Sequence, residues 1–184
     1  MRGIFMVVLL GGLAGCSGGR GADGLSRADQ GAALAAALAE ENISAPSTLP
    51  TGGTATYAGF MTLGLPIGGT TQDFVGDLDV IVDFAANNSQ LSGSVSNFDG
   101  VSGTLTIAGG ELDRSADPRV DYTFDGAVTG TLAQSGARYD IDASLLGEFR
   151  GRNQDGLTGI VFGDIVGPDG QDIFDGSIAA ARIN

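Results

Sequence analysis

From Thr54 onward the chain alternates apolar and polar residues with a period of two. In DLDVIVDF, Leu78, Val80, Val82 and Phe84 share one face, and Asp77, Asp79 and Asp83 share the other. In ARYDIDASLLGEFR, Tyr139, Ile141, Ala143, Leu145 and Phe149 oppose Asp140, Asp142, Ser144, Glu148 and Arg150. Successive side chains of a strand point to opposite faces, so both stretches read as strands with one apolar and one wet side. Seven breaks rich in turn residues, LPIGGT, ANNS, FDG, GGELDRSADP, AQSG, GRNQDG and GPDGQ, cut the region into eight such segments. The strands are predicted at 54–65, 75–84, 90–97, 102–108, 120–132, 137–151, 157–166 and 171–182.

No amphipathic helix interrupts this series, so hairpins in sequence order are simpler than crossovers. The expected fold is all-β: an eight-stranded antiparallel up-and-down β-barrel, closed so that no strand edge is left unpaired. A two-layer sandwich is the alternative. Alternation does not say which side faces inward. A membrane-crossing barrel turns its apolar side out and is flanked by aromatic girdles, whereas this chain has three Tyr, no Trp and no aromatic residues gathered at strand ends. The apolar side is therefore expected inside.

Before Thr54 the period is helical. In SRADQGAALAAALAEEN, Ser26 can cap a helix with Asp29 three residues on, and Leu34, Ala35 and Leu38 share a face, which predicts a helix over 27–41. Its apolar stripe is thin. SGGRGADG before it and ISAPSTLPTGG after it read as linker.

The first residues read differently again. Arg2 is followed by a broken apolar run from Ile4 to Leu13, too short for the about 20 residues that span a bilayer. Leu13-Ala14-Gly15-Cys16 then resembles a bacterial lipobox, in which the chain is cut before the cysteine and its thiol carries diacylglycerol. Cys16 is the sole cysteine, and a thiol consumed by lipid needs no disulfide partner. The expected organisation is a signal peptide at 1–15, a lipidated Cys16 with a flexible, partly helical linker at 16–53, and the barrel at 54–184. Several acyl chains on one residue anchor a protein without crossing the membrane. Ser17 follows the cysteine, where Asp would favour inner-membrane retention in Gram-negative lipoproteins, so the outer membrane is the expected address.

Composition narrows the chemistry. The formal net charge is −13 and every basic residue is Arg, so phosphate backbones are repelled and no nucleic-acid partner is expected. Without His there is no Ser-His-Asp or Cys-His constellation and no imidazole metal ligand. Without Lys there is neither a P-loop lysine nor Schiff-base chemistry. Carboxylates remain, but Asp77, Asp79 and Asp83 share a strand face with other solvent-facing residues, and no catalytic residue is assigned. NQDG at 153–156 and PDGQDIFD at 168–175 offer oxygen ligands but match no EF-hand loop, so neither a metal nor a cofactor is expected. Phe-Asp-Gly recurs at 98–100, 124–126 and 174–176. Asp99, Asp125 and Asp175 could form a ligand set, but an aromatic that fills the core beside a bulge or bend is the simpler reading.

PTGGTATYAGF at the first strand and LLGEFRGRNQDGLTGIVFGDIVGPDGQDIFDGSIAAAR at the end, together with the lipobox and linker, resemble the β-barrel domain of transferrin-binding protein B and related surface lipoproteins. Gly147, Phe149 and Gly151 fit that family's G-x-F-x-G element, and Gly159, Val161 and Gly163 fit its G-x-V-x-G element. The resemblance covers about residues 51–183 and implies a last strand returning beside the first. It also implies a non-enzymatic lipoprotein that binds a solute or protein through barrel loops and rim. That family's founding member has two lobes with handle domains, which this chain has no room for, so transferrin binding is not carried over. The candidate contact residues are Glu111, Asp113, Arg114 and Arg119 in the loop after Gly109, and Arg152 and Asp155 in the loop after Gly151. A small-ligand carrier with an internal cavity and a purely structural envelope component are the alternatives.

Overall fold

The computed structural model describes residues 24–85 and 89–183. The segment predicted as a signal peptide, 1–15, and Cys16 lie outside these residues. Helix α1 spans Arg27–Ala39 and is followed by eight strands: β1 Thr54–Ile67, β2 Thr70–Asp83, β3 Leu91–Ser96, β4 Ser102–Gly109, β5 Phe124–Gln134, β6 Ala137–Arg150, β7 Gly156–Gly167 and β8 Gly170–Arg182. The strands pair antiparallel in sequence order, and β8 returns to β1 to close the barrel.

Each strand exists because its alternation matches the pleat. On β1, Ala55, Tyr57, Met61, Leu63, Leu65 and Ile67 point inward and are fully buried. Leu78, Val80 and Val82 on β2 meet Leu105, Ile107, Val128, Leu132, Leu145 and Leu157 from the other strands in one continuous core. Fully burying such a side chain stabilises the fold by about 1.5–3 kcal/mol, which sets the register, since a one-residue slip would turn the whole set to water. Asp77, Asp79, Asp83, Asp140, Asp142 and Asp164 take the outward positions, so the apolar side of the barrel faces in.

The largest departures from the sequence expectation lie at the β1–β2 turn and at the start of β5. β1 and β2 extend to Ile67 and from Thr70 because the break in LPIGGT is only Gly68-Gly69, with φ of 68° and 81°. Two successive positive φ values make the tight turn whose twist matches a hairpin, and glycine adopts them without strain. Conversely, β5 begins at Phe124 rather than Val120, because the amides of Val120 and Asp121 turn back to the carbonyl of Asp117.

The segment before the barrel is laid against it. The N-terminus of α1 is a capping box: the Asp29 amide donates to Ser26 Oγ at 3.1 Å, and the Ser26 amide donates to the Asp29 carboxylate. α1 crosses the outer wall from β2 to β7. Arg27 pairs with Asp77 on β2 at 2.9 Å and with Asp99 in the β3–β4 turn at 2.6 Å. Gly31 rides on the outward Phe60 ring of β1, and Leu38 seats on Gly156 of β7. Gly31 and Leu38 are buried against the barrel and Leu34 is half-buried, while Ala35 is exposed along the cleft beside Phe60 and Ala179. Residues 27–53, read from composition as a partly helical linker, thus contact the barrel through α1 and through the segment after it. Phe60 and Ala179 form an apolar strip on the outer wall that a thin helix can cover.

Candidate binding surfaces

An up-and-down barrel sorts its loops by parity. The start of β1, the β4–β5 loop at 110–123 and the β6–β7 loop at 151–155 share one end, while the Gly68-Gly69, Ser135-Gly136 and Pro168-Asp169 turns share the other. All six sequence-derived contact residues thus fall at the same end. The chain closes that end with its own residues 42–53. Ile43 bridges to Arg150, the Ser44 amide donates to the Phe149 carbonyl at 2.8 Å, and Ser44 Oγ donates to the Gly151 carbonyl. Pro46 and Leu49 are buried here.

Beneath this strap lies an aromatic cluster centred on Phe149. Phe124 meets it edge-on at 5.4 Å between centroids, with Phe84 at 5.8 Å and Tyr57 at 6.2 Å. Gly147 makes room for Phe124, since a β-carbon at 147 would overlap that ring. The Tyr57 hydroxyl donates to the Gln154 carbonyl at 3.0 Å, and burial pushes its pKa up to about 12. The interior is therefore occupied by side chains. A cleft of about 80 Å³ opens at the opposite end beside Pro66, Tyr139 and Asp172, and one of about 300 Å³ runs along α1 outside the wall.

The six candidates separate once their contacts are known. Arg114 is a clamp: its guanidinium donates to the carbonyls of Leu49 at 2.8 Å, Pro50 at 2.6 Å and Phe84 at 3.1 Å, tying the strap to the barrel. Asp113 organises its own loop, where the hydroxyl and then the amide of Ser115 hold its carboxyl below the usual range. The Asp155 carboxylate packs over Gly151. Glu111, Arg119 and Arg152 are exposed on the loops. Sequence reasoning missed Val120 and Tyr122, which stand exposed beside Arg119 because the turn at Asp117 takes them out of β5. The turn signal GGELDRSADP was visible, but not that it runs on to residue 123.

The other motifs disperse. Asp99 lies in the β3–β4 turn, Asp125 accepts the Glu111 amide near the strapped end, and Asp175 is on the outer face of β8 opposite Phe162. They form no ligand set, whereas Phe98, Phe124 and Phe174 are all buried. Gly126 and Gly176 lie within regular ladder pairing, opposite Leu145 and Leu63, so only the first of the three units makes a turn. Among the described residues no three His, Cys, Asp or Glu side chains gather as a metal site. Comparison with known family models and with curated proteins finds no match.

Proposed function

We propose that this chain is a lipid-anchored, non-enzymatic binding lipoprotein of the Gram-negative outer membrane, a single-barrel relative of the transferrin-binding protein B-like surface lipoproteins. Its anchor is Cys16, in Leu13-Ala14-Gly15-Cys16. The observation that carries binding at the loops, rather than carriage inside, is the packed interior: from Tyr57 to Phe149 the inward positions are filled by side chains in mutual contact. A barrel of this strand number can be filled or hold one small ligand, and a filled one leaves its ends and walls for recognition. The contact surface is the strapped end, with Glu111, Arg119, Val120, Tyr122 and Arg152 exposed on loops held by Arg114 and the 42–53 strap. Kinship with the surface-lipoprotein barrels rests on the resemblance of the two glycine-rich elements, Gly147-Phe149-Gly151 and Gly159-Val161-Gly163, and on the eight-stranded barrel they belong to.

The test is fractionation of cells expressing wild type and Cys16→Ala, followed by cross-linking from Arg119 and Arg152 on intact cells. Wild type is expected in the outer-membrane fraction and the variant in the soluble one, with cross-linked partners lost when the loop residues are changed to Ala. Equal solubility overturns the anchor. A small molecule retained in native mass spectrometry, with cross-links unaffected by the loop changes, overturns the binding mode.

A further inference from the structure

The outer wall of the barrel is chemically uneven. Across 92–96, 102–108 and 127–133, on β3, β4 and β5, the outward positions are Ser, Thr and Ala. On β7 and β8 they include Ile160, Phe162, Val166 and Ile173, which are 41, 45, 47 and 76 % exposed. The ladder sets these in rows. Ile160 lies between Leu146 and Ser177, Phe162 between Ser144 and Asp175, Asp164 between Asp142 and Ile173, and Val166 between Asp140 and Gln171. Directly paired side chains lie about 5 Å apart and diagonal ones about 7–8 Å, so Leu146, Ile160, Phe162 and Ile173 make one surface. Asp142, Asp164 and Asp175 cross it, and no ion pair among the described residues involves them. α1 covers the neighbouring strip at Phe60 and Ala179 and stops short of this one.

Contiguous exposed apolar side chains on a folded domain mark an interaction surface rather than scatter. We propose that the β7–β8 wall docks a cationic amphipathic protein segment, whose apolar side chains lie over Ile160 and Phe162 while Lys or Arg reaches Asp142, Asp164 and Asp175. Charge selects this occupant. A second copy would bring the same three acids and a formal net charge of −13 against its own kind, and anionic headgroups would be repelled in the same way. A basic segment gains from every one of these carboxylates, and the apolar rows supply the desolvated centre that binding energy needs. This surface is distinct from the strapped end and does not depend on Cys16.

The experiment uses the full chain and a short fluorescein-labelled amphipathic helix of Leu and Lys, read by fluorescence anisotropy. Ile160→Ser with Phe162→Ser is expected to weaken binding by about tenfold, and Asp142→Asn with Asp164→Asn comparably at low salt. Ile81→Ser removes a single exposed apolar side chain from β2, between Asp79 and Asp83, and is expected to leave binding within about twofold. Circular dichroism and unfolding curves matching wild type show that each variant is folded. Equal loss in the Ile81 and Ile160/Phe162 variants, or in neither, overturns the proposal by showing general attraction to an acidic protein. Dimerisation of wild type that the double serine variant abolishes, or its flotation with phosphatidylcholine vesicles lost in the same variant, also overturns it, in favour of self-association or a membrane.

Discussion

Leu38, in the last turn of α1, fills the place that a side chain at residue 156 would need, and Gly156 at the start of β7 leaves that place open. The contact makes the helix part of the barrel's outer wall. Leu38→Ala is expected to cost about 2 kcal/mol, the low end for a buried leucine because its site opens partly to solvent. Gly156→Val should unseat the helix altogether. Denaturant unfolding checks the first, and protease cleavage within 27–39 checks the second; unchanged midpoints and cleavage would mean that α1 unfolds independently.

Arg114, one of the candidate contact residues, holds three carbonyls of its own chain. Hydrogen bonds from a charged donor contribute about 1.5–3 kcal/mol, so Arg114→Ala is expected to lower stability by that order. Arg114→Lys should recover only part of the loss, since an ammonium cannot present the planar fork. Faster amide exchange at Ser44 in the alanine variant would locate the damage in the strap.

Gly147 is required by space. A β-carbon there overlaps the Phe124 ring and comes within 2.6 Å of the Thr158 carbonyl. Gly147→Ala is expected to destabilise by about 1–3 kcal/mol, as overpacking does. Adding Phe124→Leu should return part of that loss in a double-mutant cycle, whereas strict additivity would show that the two sites do not interact.

Tyr57 predicts a specific alkaline transition. Its phenol ionises at about 12 in the folded chain, raised chiefly by burial, against an ordinary value of 10.0. Between these values the unfolded chain has lost the proton and the folded chain retains it. The stabilisation is therefore fully present below pH 10 and is lost as pH rises toward 12, with a slope of up to about 1.4 kcal/mol per pH unit. Urea midpoints measured across this range should fall in wild type and fall less steeply in Tyr57→Phe.

The attachment of α1 by Arg27 should weaken with salt. Its pairs with Asp77 and Asp99 are partly exposed, so each contributes at most about 1 kcal/mol and is screened. Arg27→Ala is expected to cost less at high salt than at low salt in thermal unfolding.

By itself the sequence determined the eight strands, their antiparallel order and the capped start of α1, because each rests on local chemistry: period two, turn residues, and Ser26 with Asp29. The inward faces of β2 and β6 were legible for the same reason. Only the tertiary structure decided what depends on distant residues. Barrel closure brings the loops holding Arg114 and Arg152 to one end, but the fate of Arg114 depended on the carbonyls of Leu49 and Pro50, far away in the chain and without a side-chain signal. The linker composition around Ile43 and Ser44 likewise conceals a strap, since its bonds are made by backbone groups that every residue carries. Filling the interior was a matter of fit between rings and gaps, as with Phe124 over Gly147, and pairing across the barrel specifies that fit where periodicity along one strand cannot.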